Sequence, residues 1–356
     1  MKLNEVLSRI PLWYESGASV YLKSPPGLGK TTTIMQAPKI LSEATGKNIG
    51  CVVIQGPLLT PGDAIGYLMP RHCEDGTIES AYSQPYWFRT YENKHLSEFD
   101  GGIIFVDEMD KADTDVKKVL GECALSGRLG PHRLNGGWVL WGAGNRSEDR
   151  SGSTKELDHL INRRMEVDVQ PDLESLLDWM ATNNVSPLTQ AFAKQYPEIV
   201  LTGKVPEKQG PWCTPRSLVA ADRHLALAAK HNAGKLPTDQ IVDEEIRGMI
   251  GAAATAQYFS HVKLQLELPS YESIIAAPDK APTPAKPDAM MLICYNMAHR
   301  VSKDDATQAV TYINRLPKEF GVTFAKAAIK RDNTLVLDRA MQKWALDNSS
   351  LMSVIN

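Results

Sequence analysis

Ser24-Pro25-Pro26-Gly27-Leu28-Gly29-Lys30-Thr31 is the stretch on which the reading of this chain turns. Before it, Ala18–Lys23 reads as a short strand; after it, Thr32–Ala37 continues as a helix up to Pro38. Strand, glycine loop and helix are the context that a Gly-x-x-x-x-Gly-Lys-Ser/Thr phosphate-binding loop requires. Gly27 and Gly29 let the backbone bend until successive N–H groups face one point, and the following helix adds its positive end. Lys30 is then expected at the β- and γ-phosphates of ATP, and the Thr31 hydroxyl at Mg²⁺. The nucleotide-binding set is Pro26, Gly27, Leu28, Gly29, Lys30, Thr31 and Thr32. The first glycine of the motif is replaced by Ser24, at the end of the strand where a small residue serves. The bland alternative is a surface turn that happens to carry a lysine.

Working outward, Gly101–Val106 is an apolar run that ends in Asp107-Glu108. A buried strand of this kind delivers carboxylates to the C-terminal edge of a parallel sheet, where ligands bind in open α/β folds. Asp107 is expected to hold the metal together with Thr31, and Glu108 to orient or deprotonate the attacking water. Trp138–Ala143 is another strand, and Asn145 just beyond it is placed to meet the γ-phosphate or the water; a turn-forming asparagine is the plain alternative. His159–Arg164 ends a helix before the strand Met165–Val169. Arg163 and Arg164 are either solvated charges or a finger reaching a neighbouring subunit's nucleotide.

Strands alternating with helices, including Cys51–Gln55, predict an α/β parallel sheet. Residues 1–17 read as a helix that Pro11 ends or bends. Residues 56–98 hold several turn signals and the aromatics Tyr67, Tyr82, Tyr86, Trp87, Phe88 and Tyr91. They are expected either to pack these rings on the core or to project a hairpin toward a substrate or partner. A second hairpin is expected over 128–137. From Pro171 the pattern turns helical. Thr214-Pro215 opens one of these helices with a cap and a proline in its first turn, which places Arg216 near a helix start where an anion would be needed to favour it. Ala276–Pro287, with four prolines, reads as an extended linker. The expected division is therefore 1–170, 171–270, 271–288 for the linker region, and 289–356.

The bulk numbers agree with an ordinary globular protein. The chain has 356 residues, 43% of them apolar, and a formal net charge of −3. That balance offers no general attraction for nucleic acid or an acidic membrane. Five scattered cysteines without a Cys-x-x-Cys argue for reduced thiols and a cytoplasmic setting. No apolar run has the length of a membrane span. After residue 288, nine Lys/Arg stand against six Asp/Glu, too small an excess for a nucleic-acid patch and more in keeping with an assembly module.

Taken in order, these motifs make roughly residues 1–260 resemble the AAA+ ATPases, and within them the MoxR-like branch. The loop at 24–31 matches Walker A, and Gly102–Glu108 matches Walker B. Gly144-Asn145-Arg146 falls at the family's sensor 1. Leu160-Ile161-Asn162-Arg163 is similar to its finger motif, with Arg164 where phenylalanine is common, and Thr214-Pro215-Arg216 resembles sensor 2. Thr60–Gly66 resembles the MoxR stretch after the second strand. The resemblance implies a P-loop α/β core with a C-terminal helical lid and, here, an extra helical tail. It also implies ATP hydrolysis with Mg²⁺ in a hexameric ring, with Glu108, Asn145, Arg163 and Arg164 in catalytic roles and Asp107 and Arg216 at the nucleotide. Remodelling of a protein client follows from it, often with a von Willebrand factor A domain partner. A DNA motor or loader, and a nucleotide-gated scaffold with little turnover, are the competing expectations.

Overall fold

A computed structural model describes residues 1–146, 161–203, 205–206 and 209–349. The chain forms two compact units, Met1–Pro171 with Gly203–Val205, and Asp172–Thr202 with Pro206–Asn356.

The first unit is built on five parallel strands: β1 (Val20–Lys23), β2 (Ile49–Gln55), β5 (Gly101–Asp107), β8 (Trp138–Gly144) and β9 (Met165–Asp168). Their order across the sheet is β2-β5-β8-β1-β9. A parallel sheet must be covered on both faces, and alternate residues of one strand supply the two covers. Ile103 and Phe105 of β5 pack with Val6, Ile10 and Trp13 of α1 (Leu3–Glu15), Ile34 of α2 (Lys30–Ile34) and Leu41 of α3 (Ala37–Thr45). Ile104 and Val106 face the other way, onto Val116, Leu120 and Cys123 of α5 (Thr114–Ser126). α5 starts on the Asp113 side chain, which accepts the Asp115 N–H at 2.8 Å, and ends on Gly127 at φ 66°. The P-loop α/β architecture expected from the sequence is thus present.

Two prolines need comment, since of the two expectations for Pro11 the structure excludes an end to the helix, and Pro38 does not stop the helix it was expected to stop. Pro11 lies inside α1, which runs on to Glu15. Burial of Ile10 and Trp13 on either side of it outweighs the one missing backbone hydrogen bond. The helix after the loop stops at Ile34, and Pro38 stands in the first turn of the next helix. There its lack of an N–H costs nothing, because that donor has no intrahelical partner in any case.

The aromatic segment divides its rings between core and surface. Trp87 and Phe88 are buried, whereas Tyr67, Tyr82, Tyr86 and Tyr91 are exposed. Between them lies the hairpin β3 (Leu68–His72) and β4 (Ile78–Tyr82), which follows the short helix α4 (Pro61–Ile65). Its base is rigidly tied. Gly66 sits at φ 89°, and a Cβ there would come within 1.8 Å of the Ser83 carbonyl oxygen. The second hairpin forms as β6 (Arg128–Leu129) and β7 (His132–Arg133).

The second unit is helical. It includes α6 (Leu173–Thr182), α7 (Pro187–Gln195), α9 (Pro215–His231), α10 (Gln240–Ile250), α11 (Ala252–Glu267), α12 (Tyr271–Ala276) and α13 (Pro287–Arg300), with α8 (Pro197–Val200) a single turn. α14 (Ala306–Ile313), α15 (Lys318–Arg331) and α16 (Arg339–Asp347) follow. One core gathers around Phe192, Tyr258 and Val262, a second around Ile293, Tyr312 and Phe324. α13 belongs to both, through Leu292 and Tyr295 on one side and Ile293, Cys294 and Met297 on the other.

The proline-rich stretch expected as an extended linker is folded into this unit. It begins in α12 and makes a turn at 277–281, where the Ala281 N–H donates to the Ala277 carbonyl at 2.8 Å. The Tyr312 hydroxyl donates to the Pro282 carbonyl, and Arg315 to the carbonyls of Pro278 and Ala281. Prolines raise the number of backbone acceptors relative to donors, and these two side chains supply the missing donors. Among the described residues, no helix is long and apolar enough to cross a membrane.

Candidate functional site

The site is assembled at the C-terminal ends of β1, β5 and β8. β1 delivers the chain into Ser24–Gly29, where Gly27 and Gly29 take φ 80° and 90°. A side chain at either position would be strained, so the turn that aims the loop N–H groups inward requires glycine there. Lys30 follows at once, 9% exposed. Its ammonium donates to the Ser24 hydroxyl at 2.8 Å and to the Ser24 carbonyl at 3.1 Å, and reaches Asn145 Oδ1 at 3.3 Å. Ser24 is itself fully buried. A serine in place of the motif's first glycine therefore adds an oxygen partner for the lysine, a role that sequence reasoning did not assign. Pro26, Gly27, Leu28 and Gly29 are half-buried along the loop, and Thr32 is exposed on the first turn of α2.

Thr31 and Asp107 come from different elements and meet directly. The Thr31 hydroxyl donates to Asp107 Oδ2 at 2.5 Å. A hydroxyl and a carboxylate are hard oxygen donors that suit Mg²⁺, which is usually held by one or two such groups together with phosphate oxygens. No group of three or more His, Cys, Asp or Glu gathers into a metal site among the described residues. These two residues fit a metal that arrives with a triphosphate.

Glu108 leaves the strand in the left-handed region, at φ 49° and ψ 37°. For a non-glycine residue this conformation is uncommon and marks a tightly determined turn. It turns the carboxylate to the surface, where Oε1 pairs with Lys111 Nζ at 3.0 Å. Asp110, two residues on, is only 2% exposed. Burial pushes its pKa above the usual carboxylate range, against the opposing pull of the Asn145 backbone N–H.

The two candidate finger residues are placed very differently. Arg163 is about one-third exposed, and its guanidinium lies 3.6 Å from Glu122 on α5. The Arg164 side chain is 5% exposed, stacks over the Tyr21 ring at 3.6 Å from the centroid, and donates to Glu166 at 2.8 Å. Glu166 also binds Lys23. Burial of Glu166 opposes ionisation, but the hydrogen bonds from Lys23 and Arg164 outweigh it and hold its pKa low. Arg164 is thereby committed within its own subunit. Leu160, the first residue of the finger motif, lies outside the described residues, as does His159.

Arg146, beside Asn145, donates to Gln170 Oε1 at 3.0 Å. Arg216 is exposed in the first turn of α9, in the second unit. The structure therefore brings together Lys30, Thr31, Asp107 and Asn145, with Glu108 beside them in sequence. Arg163 is paired instead with Glu122 on α5, and Arg216 belongs to the second unit. Ser24, Lys111 and Glu122 are the partners that motif matching left unnamed; for Ser24 the only signal was its departure from the pattern.

No family model and no curated protein matches the chain. Among solved structures it is similar to the Holliday junction branch migration motor RuvB of Thermotoga maritima, with a TM-score of 0.40 and 16% identity over 69% of this chain and 67% of that one. A putative ATPase from Cytophaga hutchinsonii aligns with a TM-score of 0.33 and 13% identity over 92% of this chain and 80% of that one. NtrX from Brucella abortus aligns with a TM-score of 0.40 and 11% identity over 91% of this chain and 67% of that one.

Proposed function

We propose that this chain is an AAA+ ATPase of the MoxR-like kind, hydrolysing ATP in a hexameric ring to remodel a protein client. The observation that carries the reading is the convergence of Lys30, Thr31, Asp107 and Asn145 from three strand ends onto one edge. A sequence motif alone does not set Lys30 against Asn145 and Thr31 against Asp107.

In this scheme the loop N–H groups and Lys30 bind the triphosphate, and Lys30 exchanges its contacts with Ser24 for phosphate oxygens. Thr31 and Asp107 would hold Mg²⁺, which would supply positive charge to the triphosphate. Glu108 orients the attacking water and accepts its proton once the carboxylate is free of Lys111, and Asn145 fixes the line of attack. Arg163, accessible and held only by a partly exposed ion pair, is the finger offered to the next subunit's nucleotide. Arg216 completes the set from the helical unit. A site made from two copies needs a head-to-tail interface, which closes into a ring when its rotation allows. The exposed hairpin β3–β4 offers Leu68, Met69 and Ile78 to a protein client.

The test is a phosphate-release assay on the purified protein and on Glu108→Gln. The parent is expected to hydrolyse ATP, and the variant to bind it with little turnover. A parent that binds ATP but releases no phosphate would make the chain a nucleotide-gated scaffold. Turnover that appears only with DNA, and falls steeply with salt, would make it a nucleic-acid motor.

A further inference from the structure

Asp110 is a buried carboxylate that takes no part in the hydrolytic scheme, yet it touches two of the elements that do. It stands in the tight turn Met109–Lys111 that Glu108 opens. Its carboxylate lies against Gly144, the residue that precedes Asn145 at the end of β8. Its carbonyl accepts from Lys117 Nζ at 2.7 Å, and Lys117 is fully buried on α5.

The end of β8 is fitted against this turn without spare room. A Cβ on Gly144 would lie 2.7 Å from Asp110 Oδ1, 3.0 Å from its Cβ and 2.0 Å from the Tyr21 hydroxyl. A Cβ on Gly142 would lie 2.8 Å from Met109 Sδ. Only glycine allows β8 to come this close, so the turn that carries Glu108 and the strand end that carries Asn145 are in register with each other. Asn145 in turn meets Lys30 at 3.3 Å.

We propose that Asp110 is a positioning residue for hydrolysis: it holds the strand end that leads into Asn145 so that the amide side chain is set against Lys30, and Lys117 anchors it from α5. The proposal rests on the ATPase reading above. A buried pair that merely stabilises the fold would change the melting temperature and leave the turnover of the folded protein alone. A positioning residue lowers kcat while nucleotide affinity stays.

The experiment uses the full chain and its Asp110→Asn and Asp110→Ala variants, with steady-state ATP hydrolysis, equilibrium binding of a fluorescent ATP analogue and thermal unfolding measured on each. Loss of this buried carboxylate predicts a fall in kcat of about tenfold or more for alanine. Asparagine keeps an oxygen acceptor and is expected to lose less, about threefold to tenfold. Nucleotide affinity is expected to stay within about threefold of the parent in both. A kcat for Asp110→Ala within about twofold of the parent overturns the proposal, and so does a loss of affinity as large as the loss of kcat. Should the alanine variant fail to fold, Asp110→Asn decides, and turnover equal to the parent's overturns the proposal. The parent in the same assay separates the two readings. No turnover in the parent sinks the ATPase reading, while an active parent with an indifferent Asp110 sinks only the positioning role.

Discussion

At the scale of single residues, neighbouring positions in the sequence have unequal fates. Arg163 and Arg164 are adjacent and chemically alike, and only the resemblance of Leu160–Arg163 to a finger motif favoured Arg163 over its neighbour. In the structure one is a surface cation loosely paired with Glu122, and the other is packed against Tyr21 and Glu166. Arg163→Ala is therefore expected to leave the melting temperature unchanged and to lower kcat by about 10³-fold or more, the usual worth of an arginine finger. Arg164→Ala is expected to destabilise the fold by on the order of 1–2 kcal/mol, through the lost stacking on Tyr21 and the loss of one of the two cations that hold Glu166. Thermal unfolding and ATPase rates on the two variants check this. Equal stability losses, or an unimpaired Arg163→Ala, would remove the distinction. The glycine loop was legible because its chemistry is local: Gly27 and Gly29 have to reach positive φ within a few residues of Lys30. Ser24 was not, because its role appears only once the loop folds back to set its hydroxyl against Lys30, and Asp110 was not, because its neighbour Gly144 lies on another strand.

At the scale of elements, the strands were readable from their apolar runs, since a parallel sheet covered on both faces has no polar side to interrupt them. The prolines were hard to read because a proline is judged by what surrounds it. Pro11 is carried inside a helix by its buried neighbours, and Pro38 begins a helix it was expected to end. α11 carries a consequence for pH. His261 on this helix is fully buried, with its ring edge-on to Phe192 at 5.6 Å and Tyr196 at 5.5 Å. Burial lowers its pKa below the ordinary histidine value, only partly offset by Asp288. His299 on α13 is also lowered, by burial and then by Arg331 and Arg300. With the folded values depressed, the unfolded chain binds more protons below about pH 6.5, so stability is lost as pH falls through that point. The helical unit is expected to melt a few degrees lower at pH 5.5 than at pH 7.5, and His261→Phe is expected to flatten the dependence. A steeper profile in the variant, followed by circular dichroism on the full chain, would count against the assignment.

At the scale of the whole molecule, the chain carries one nucleotide-type edge on its first unit and an all-helical second unit. If hydrolysis needs Arg163 from a neighbour, two inactive variants should complement each other. A Glu108→Gln subunit still offers its finger, and an Arg163→Ala subunit still holds its own Glu108. Random mixing in equal amounts is expected to restore about a quarter of parental activity, the share of interfaces that pair the two intact halves. Activity no higher in the mixture than in either variant would rule out a shared site. Sequence alone determined the order of strands along the chain, the glycine loop and the carboxylate pair, because these depend on local backbone conformation and on runs of buried residues. The tertiary structure alone decided that Arg164 is packed against Tyr21 while Arg163 is held by a surface ion pair, that Ser24 meets Lys30, that Asp110 is buried against the end of β8, and that the proline-rich stretch is folded. Most of these outcomes depend on contacts between residues far apart in the chain, whose burial and pairing are set by tertiary packing and not by local conformation.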